Sequence, residues 1–350
     1  MLIKKSKLLC SILILLTIGL VGCTPNNNEV EEKEEVKADP VKKSITISFA
    51  GDVTMGNYIG STGVGTFDYE VKAQNNDYSY FFRNVKDIFE NDDLTIVNLE
   101  GPLTTSTNGD RYKKFAFKGD PSYVNILKAG DIEAVTLANN HSEDYFTQGL
   151  EDTKKVLDEA GIKYAGMGEK SIIETNGINV GFLAYKGWND DEATLNQIKK
   201  EIEEMKKEAN TVIVYYHWGN ERENYPNETQ KKIARFSVDS GADLVIGSHP
   251  HVLQGIEYYK NKDGEDKIIA YSLGNFSFGG NKNPSDKDSV IYQQTLNFED
   301  GKLVSLDTPN LIPCSISSVS YRNNFQPTPL EGDNATRVLN RIKKYSENIN

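Results

Sequence analysis

The chain holds four histidines, His141, His217, His249 and His251, and each arrives just after a short apolar, β-branched run. Neutral imidazole is the commonest nitrogen ligand for a transition metal. His249 and His251 stand in Gly247-Ser248-His249-Pro250-His251, directly behind the buried-strand pattern of residues 242–246. The chain turns at Gly-Ser just as two imidazoles arrive. Oxygen donors come in the same way. Asp52 follows the run 45–50, Asn98 and Glu100 follow 94–97, and Asn140 accompanies His141 behind 134–138. A spacing of two puts Asn98 and Glu100 on one side of an extended chain. A carboxylate beside a carboxamide suits a hard or borderline cation. Taken singly, each residue has a plainer explanation: Asp52 as a turn or N-cap aspartate, a histidine as a packing or surface residue. Taken together they point to a metal centre. Two ions about 3.5–4 Å apart would account for so many donors, activating a water and clamping an oxyanion.

Such donors converge only if their strands lie side by side with their carboxyl ends aligned, the place where α/β folds put ligands. The pattern supports that arrangement. Strands are expected over 44–50, 94–97, 134–138, 162–165, 178–185, 211–216 and 242–246. Helices are expected over 80–91, 121–130, 147–160, 190–209 and 226–240. Residues 57–79 read as a loop. Thr175-Asn176-Gly177 reads as a hairpin turn, and hairpins are expected at 254–272 and 290–311, followed by a terminal helix over 335–346. Residues 44–312 read as one domain, and 313–350 as a C-terminal extension.

Composition narrows the function. At 350 residues with a formal charge of -12, the chain argues against nucleic acid and against an electrostatic hold on anionic lipid. One local basic stretch, Arg111, Lys113, Lys114 and Lys118, lies among the motifs and could hold an anionic substrate, although a solvated loop also explains it. Residues 1–23 combine Lys4, Lys5 and Lys7 with an apolar run of about 14 residues, shorter than a membrane span needs. The run ends Leu20-Val21-Gly22-Cys23, similar to a bacterial lipobox in which Cys23 is lipidated. The expectation is an exported protein, lipid-anchored to the outer face of the cell membrane, with residues 24–43 as a disordered tether. Cys23 and Cys314 are too few and too far apart for a disulfide framework.

The motifs FAGDVTMG, TIVNLEGPL, LANNH, YYHWGNE, GSHPH and YSLGNFSF, in that order, resemble the CapA family, named for poly-γ-glutamate capsule synthesis and related to calcineurin-like metallophosphoesterases. The resemblance spans about residues 45–312. It implies a four-layer α-β-β-α sandwich of the calcineurin-like type, with a metal rim at the strand ends. It also implies two divalent ions, with Mn, Zn, Fe and Mg not distinguished. Asp52 would take the place of the first metal-binding aspartate, and Glu100, with Asn98, that of the bridging one. Asn140, His217, His249 and His251 would be further ligands, and His141 the group acting on the transition state. His251 would pair with Asp52, and His249 with Asn140 and His217. Glu221 and Asn275 are additional candidates. The first motif of the broader pattern, Asp-x-His, is here Asp52-Val53-Thr54, which leaves a weaker first position or a mononuclear site as alternatives. The implied function is poly-γ-glutamate synthesis or export, as a metal-dependent phosphoesterase-like or amide-acting hydrolase. The alternative is a non-catalytic accessory subunit that binds the anionic polymer beside a membrane synthase.

Overall fold

The computed structural model describes residues 39–347 together with Ile349; Cys23, the leader and residues 24–38 of the expected tether lie outside them. Lys42–Thr54 is the central strand. It runs parallel to Leu94–Leu99 and to Asn275–Phe278, and antiparallel to Asp288–Glu299. The same nine-stranded sheet continues through Ala134–Thr136 to Lys163–Ala165, and on the other side through Asn310–Ser315 to Thr328–Pro329. A second sheet of six strands is ordered Ile256–Lys260, Asp266–Ala270, Leu244–Ser248, Thr211–Trp218, Ile178–Gly187, Ser171–Thr175.

Side-chain alternation along these strands builds the layers, because successive residues face opposite sides of a sheet. In Thr211–Trp218, Val212, Val214, Tyr216 and Trp218 pack with Ile198, Ile202, Ile233 and Val238 of the helices Glu192–Met205 and Glu228–Asp239. Ile213 and Tyr215 turn the other way, into a core shared with Ile47, Phe49 and Ile96 of the first sheet. The outer face of that first sheet offers Val97, Leu99 and Val135 to Ile126 and Leu127 of Val124–Ala129 and to Leu150 and Leu157 of Phe146–Ala160. The result is the four-layer α-β-β-α sandwich. The central strands Leu94–Leu99, Thr211–Trp218 and Leu244–Ser248 are buried on both faces, so they read as largely apolar runs.

Several elements differ from expectation for local reasons. The stretch 57–79 contains a helix, Phe67–Ala73, started by Thr66, whose hydroxyl accepts from the Tyr69 N–H. The helix expected over 80–91 contracts to Lys86–Phe89. Adjacent Phe81 and Phe82 are both buried, and neighbours in sequence do not share one face of a helix. The hairpin arm ending at 311 splits into Lys302–Leu306 and Asn310–Ser315 around Pro309, which cannot donate to a ladder. The central strand starts at Lys42, paired opposite Glu299, two residues earlier than expected.

The terminal helix, Gly332–Ser346, sends Val338 and Ile342 into the core between the sheets. Its Arg337 and Arg341 both clasp Asp288, and Arg341 also holds Asp286 Oδ2 at 2.7 Å. The close approach that matters most is at Gly51. A Cβ there would lie 1.8 Å from the Gly274 carbonyl oxygen, which accepts from the Asp52 N–H at 3.0 Å.

Two outcomes follow. Gly51→Ala forces the central strand away from residues 273–274 and costs about 1–3 kcal/mol or more by urea denaturation, as overpacking does; a variant as stable as wild type contradicts the packing. Burial works to raise Asp288, but the hydrogen bonds and charges of Arg337 and Arg341 outweigh it and hold the carboxyl below its usual value. A lowered value stabilises above the unfolded value near 4 and is lost as pH falls through the folded one. Asp288→Asn therefore destabilises by about 1–3 kcal/mol at pH 7, and its difference from wild type in urea midpoint shrinks below about pH 4.

Candidate metal centre

The inward-facing parity of each strand continues past the apolar core to its carboxyl end. In Leu94–Leu99, Leu94 and Ile96 face the second sheet, so Asn98 and then Glu100 do as well. In Thr211–Trp218 the same count carries Ile213 and Tyr215 forward to His217. The central strand needs a correction. Its register shifts on both sides of Asp52, against Leu94–Leu99 and against Asn275–Phe278. This irregularity turns Val53 to the helices while Thr54 reaches Glu100. Bulges next to sites commonly re-aim a side chain in this way. Register then sets Asp52 beside Asn98 and Asn275, and Ser248 beside His217. The Tyr215 hydroxyl, donating to the Ala50 carbonyl at 2.9 Å, ties the two sheets together just below the rim.

His249 and His251 arrive by a different device. Both have positive φ, 96° and 56°, a region that costs a residue with a side chain roughly 1–3 kcal/mol. The strained turn sends the two rings to different neighbours. His251 Nδ1 lies 3.1 Å from Asp52 Oδ2 and 2.9 Å from Asn275 Oδ1. His249 Nδ1 lies 3.1 Å from His217 Nε2, which meets Asn140 Oδ1 at 2.8 Å.

The test of whether these residues fit a cation is Glu100. Its Oε2 accepts from the Thr54 hydroxyl at 2.9 Å. Its Oε1 is buried with no hydrogen-bond partner among the described residues. Around that oxygen stand the Nε2 atoms of His217 at 3.6 Å, His141 at 3.8 Å and His251 at 3.8 Å. These gaps are too long for hydrogen bonds. They are of the length kept by two ligands each about 2.1 Å from a shared ion. Ligand atoms of Glu100, His249 and His251 all lie within 4.8 Å of one another. Carboxylate, carboxamide and imidazole together form a donor set for a divalent ion.

Electrostatics point the same way. Burial works to raise Asp52, but the His251 hydrogen bond and charge outweigh it and hold the carboxyl well below the usual carboxylate range. Burial, reinforced by the Asp52 charge, pushes Glu100 up. His251 resists its own burial because Glu100 and Asp52 face it, and it rises to about 10. Burial and then the neighbouring His251 bring His249 down to about 4, and burial takes His217 well below its ordinary value. The carboxylates therefore call for positive charge, which His251 supplies here, while His217 and His249 stand beside them as neutral imidazoles.

The remaining candidates divide. Asn98 has its amide oriented by Asn139, which donates to its oxygen at 3.1 Å. Asn98 thus presents N–H to Asp52 at 2.8 Å and positions that carboxylate rather than offering a lone pair. Asn275 orients His251. Glu221 is exposed and lines the adjoining cleft instead of joining the cluster. Cys23 lies outside the described residues. Sequence reasoning missed Asp144, buried beneath His141, whose Oδ2 meets His141 Nδ1 at 2.7 Å while its Oδ1 meets Lys113 Nζ at 2.5 Å. A carboxylate three residues after a histidine was the available signal. It also missed Asn139 and Ser248, and Trp188, whose ring lies 4.8 Å from that of His249.

The cluster opens into a cleft of about 260 Å3 walled by Phe115, Phe117, Phe278, His141, His251 and Arg222. His249→Ala should lower affinity for Mn2+ or Zn2+ by about 100-fold or more, above the roughly 10–100-fold that groups behind the ligands are worth. Metal per chain after desalting, read by plasma mass spectrometry, is the measurement. Wild-type content in a folded variant removes His249 from the site.

A family model described as bacterial capsule synthesis protein PGA_cap matches residues 46–280. The chain is 31% identical over 326 residues to the capsule biosynthesis protein CapA of Bacillus anthracis, covering 84% of this chain and 73% of that protein. It is 32% identical over 255 residues to the PGA biosynthesis protein CapA of Bacillus subtilis (strain 168), covering 67% of this chain and 63% of the relative's length. A probable polyglutamine synthesis accessory protein of Mycobacterium tuberculosis is 24% identical over 272 residues, covering 67% of this chain and 69% of that protein. Among solved structures, TT1561 of Thermus thermophilus aligns at a TM-score of 0.42 and 11% identity, over 71% of this chain and 94% of that one. The family match covers more than half of the chain, and the chain belongs to the bacterial capsule synthesis protein PGA_cap family.

Proposed function

We propose that this chain is an exported protein, lipid-anchored to the outer face of the cell membrane, that uses a divalent metal centre in the synthesis or export of poly-γ-glutamate. Its partners would be that anionic polymer and the subunits of a membrane synthase. The observation that carries the metal reading is the buried, unpartnered Glu100 oxygen inside a ring of three imidazole nitrogens. Family membership supports the polymer, and the lipobox-like end at Cys23 supports the anchor. Asp52, Glu100, Asn140, His217, His249 and His251 would hold one or two ions. When bound, such an ion polarises an ester or amide oxygen and acidifies water.

The protein's own groups have definable tasks in a hydrolase. Asp144 accepts from His141 Nδ1 and so fixes the ring with Nε2 turned to the cluster, where it can hold or release a proton at the leaving atom. Lys113 bridges Asp144 and the Asn140 carbonyl, locking the two arms of this turn together. Phe117 packs edge-on against His141 with ring centres 4.7 Å apart and excludes water from one side. A second reading, a non-catalytic subunit that guides the polymer, is favoured by Thr54. Where the broader pattern has a ligating histidine, Thr54 donates to Glu100 Oε2 and takes up one of that carboxylate's oxygens.

Metal-loaded protein incubated with a chromogenic phosphodiester and with γ-glutamyl oligomers separates the two. Turnover that falls about 10²–10⁴-fold in His141→Gln supports the hydrolase. Retention of the oligomer that chelator abolishes, without turnover, supports the accessory role. Neither turnover nor chelator-sensitive retention rejects both.

A further inference from the structure

We propose that Arg222 is the anion-recognition residue of the metal cleft and receives a carboxylate of an extended polycarboxylate chain; this deepens the polymer reading above and rests on it. The chain has seven arginines. Five are matched to carboxylates: Arg83 to Asp77, Arg235 to Glu257, Arg322 to Glu70, and Arg337 and Arg341 to Asp288. Arg111 and Arg222 are not within ion-pairing distance of any carboxylate among the described residues. Both belong to the cleft region. Arg222 lines the cleft itself, and Arg111 stands in the loop that supplies its Phe115 and Phe117 walls. In a chain with a formal charge of -12, an unmatched arginine lining the cleft beside His141 and His251 is a selective placement. Of the acidic side chains on the same wall, Asp286 is engaged by Arg341, and Glu221, next to Arg222 in the chain, is the one carboxylate there without an ion pair among the described residues.

Backbone geometry supports a positioned rather than an incidental side chain. Arg222 has φ 64°, where a residue with a Cβ is strained and glycine is not. It is held there by its N–H, donating at 2.7 Å to the carbonyl of Pro250, the residue between the two metal-candidate histidines. The surrounding loop is stitched to the same turn. Asn224 Nδ2 donates to the Leu253 carbonyl at 3.0 Å, and Gln254 Nε2 to the Glu223 carbonyl at 2.8 Å. A rigid loop thus carries a free guanidinium at a fixed offset from His251. Such a fork takes a carboxylate through two parallel hydrogen bonds. The aromatic walls accept the methylene stretches between successive carboxylates.

The test uses the full metal-loaded chain and a labelled γ-linked glutamate oligomer, followed by fluorescence anisotropy. The same oligomer with its carboxylates esterified is the control. Arg222→Gln and Arg222→Gly should weaken binding about 10–100-fold, the range of one charge-assisted contact. Arg222→Lys should recover part of it, keeping charge without the fork. Metal content stays at the wild-type level, and Arg222→Gly shows a thermal midpoint equal to or above wild type, because glycine relieves the strain. Binding by Arg222→Gly within twofold of wild type overturns the proposal and leaves the polymer reading standing. If wild type ignores the γ-glutamyl oligomer but binds polyphosphate in an Arg222-dependent way, the anion site is supported and the polymer reading fails. Equal affinity of wild type for the oligomer and its ester overturns both.

Discussion

Two carboxylates buried at the seam between two sheets set the terms for the rest of this structure. Asp52 and Glu100 are both inaccessible to solvent, and a buried charge is costly unless it is matched. Imidazoles converge on them from both layers: His141 follows a strand of the first sheet, while His217, His249 and His251 come from the second. No single layer could satisfy that requirement. The sandwich must close for the pair to be tolerated, and Tyr215 reaching across to Ala50 fixes the closure immediately below.

Several strained backbone positions gather at this seam. The central strand slips register at Asp52. His249, His251 and Arg222 occupy positive φ in two adjoining turns. These are features a fold built only for stability would relax. Here they are held in place by ordinary packing around them, including the contact of Gly51 with Gly274. The apolar layers supply the stabilisation that lets the rim remain strained.

The cleft beyond the carboxylates combines aromatic and cationic lining: Phe115, Phe117 and Phe278 line it together with Arg222. The terminal helix contributes at a distance, since Arg341 pins Asp286 in that lining. Residues beyond 312 are thus part of the body that shapes the site.

Much of this was legible in the sequence, because it follows from period-two alternation. Once Ile213 and Tyr215 face inward, His217 must; once Leu94 and Ile96 do, Asn98 and Glu100 must. The strand-end position of the donor-type residues, and hence their gathering on one rim, needed no coordinates. The roles within the rim did. Asn98 presents its amide nitrogen, not its oxygen, because Asn139 from another strand end holds the oxygen. Asp52 reaches the seam through a register slip that depends on two neighbouring strands at once. His249 and His251 part company through left-handed turns that their own residue types disfavour. Arg222 gains its place from a carbonyl far away in sequence, at Pro250. Alternation is a local property and was readable from the chain; ligand orientation is set by hydrogen bonds between distant segments, and only the closed tertiary structure brings those segments together.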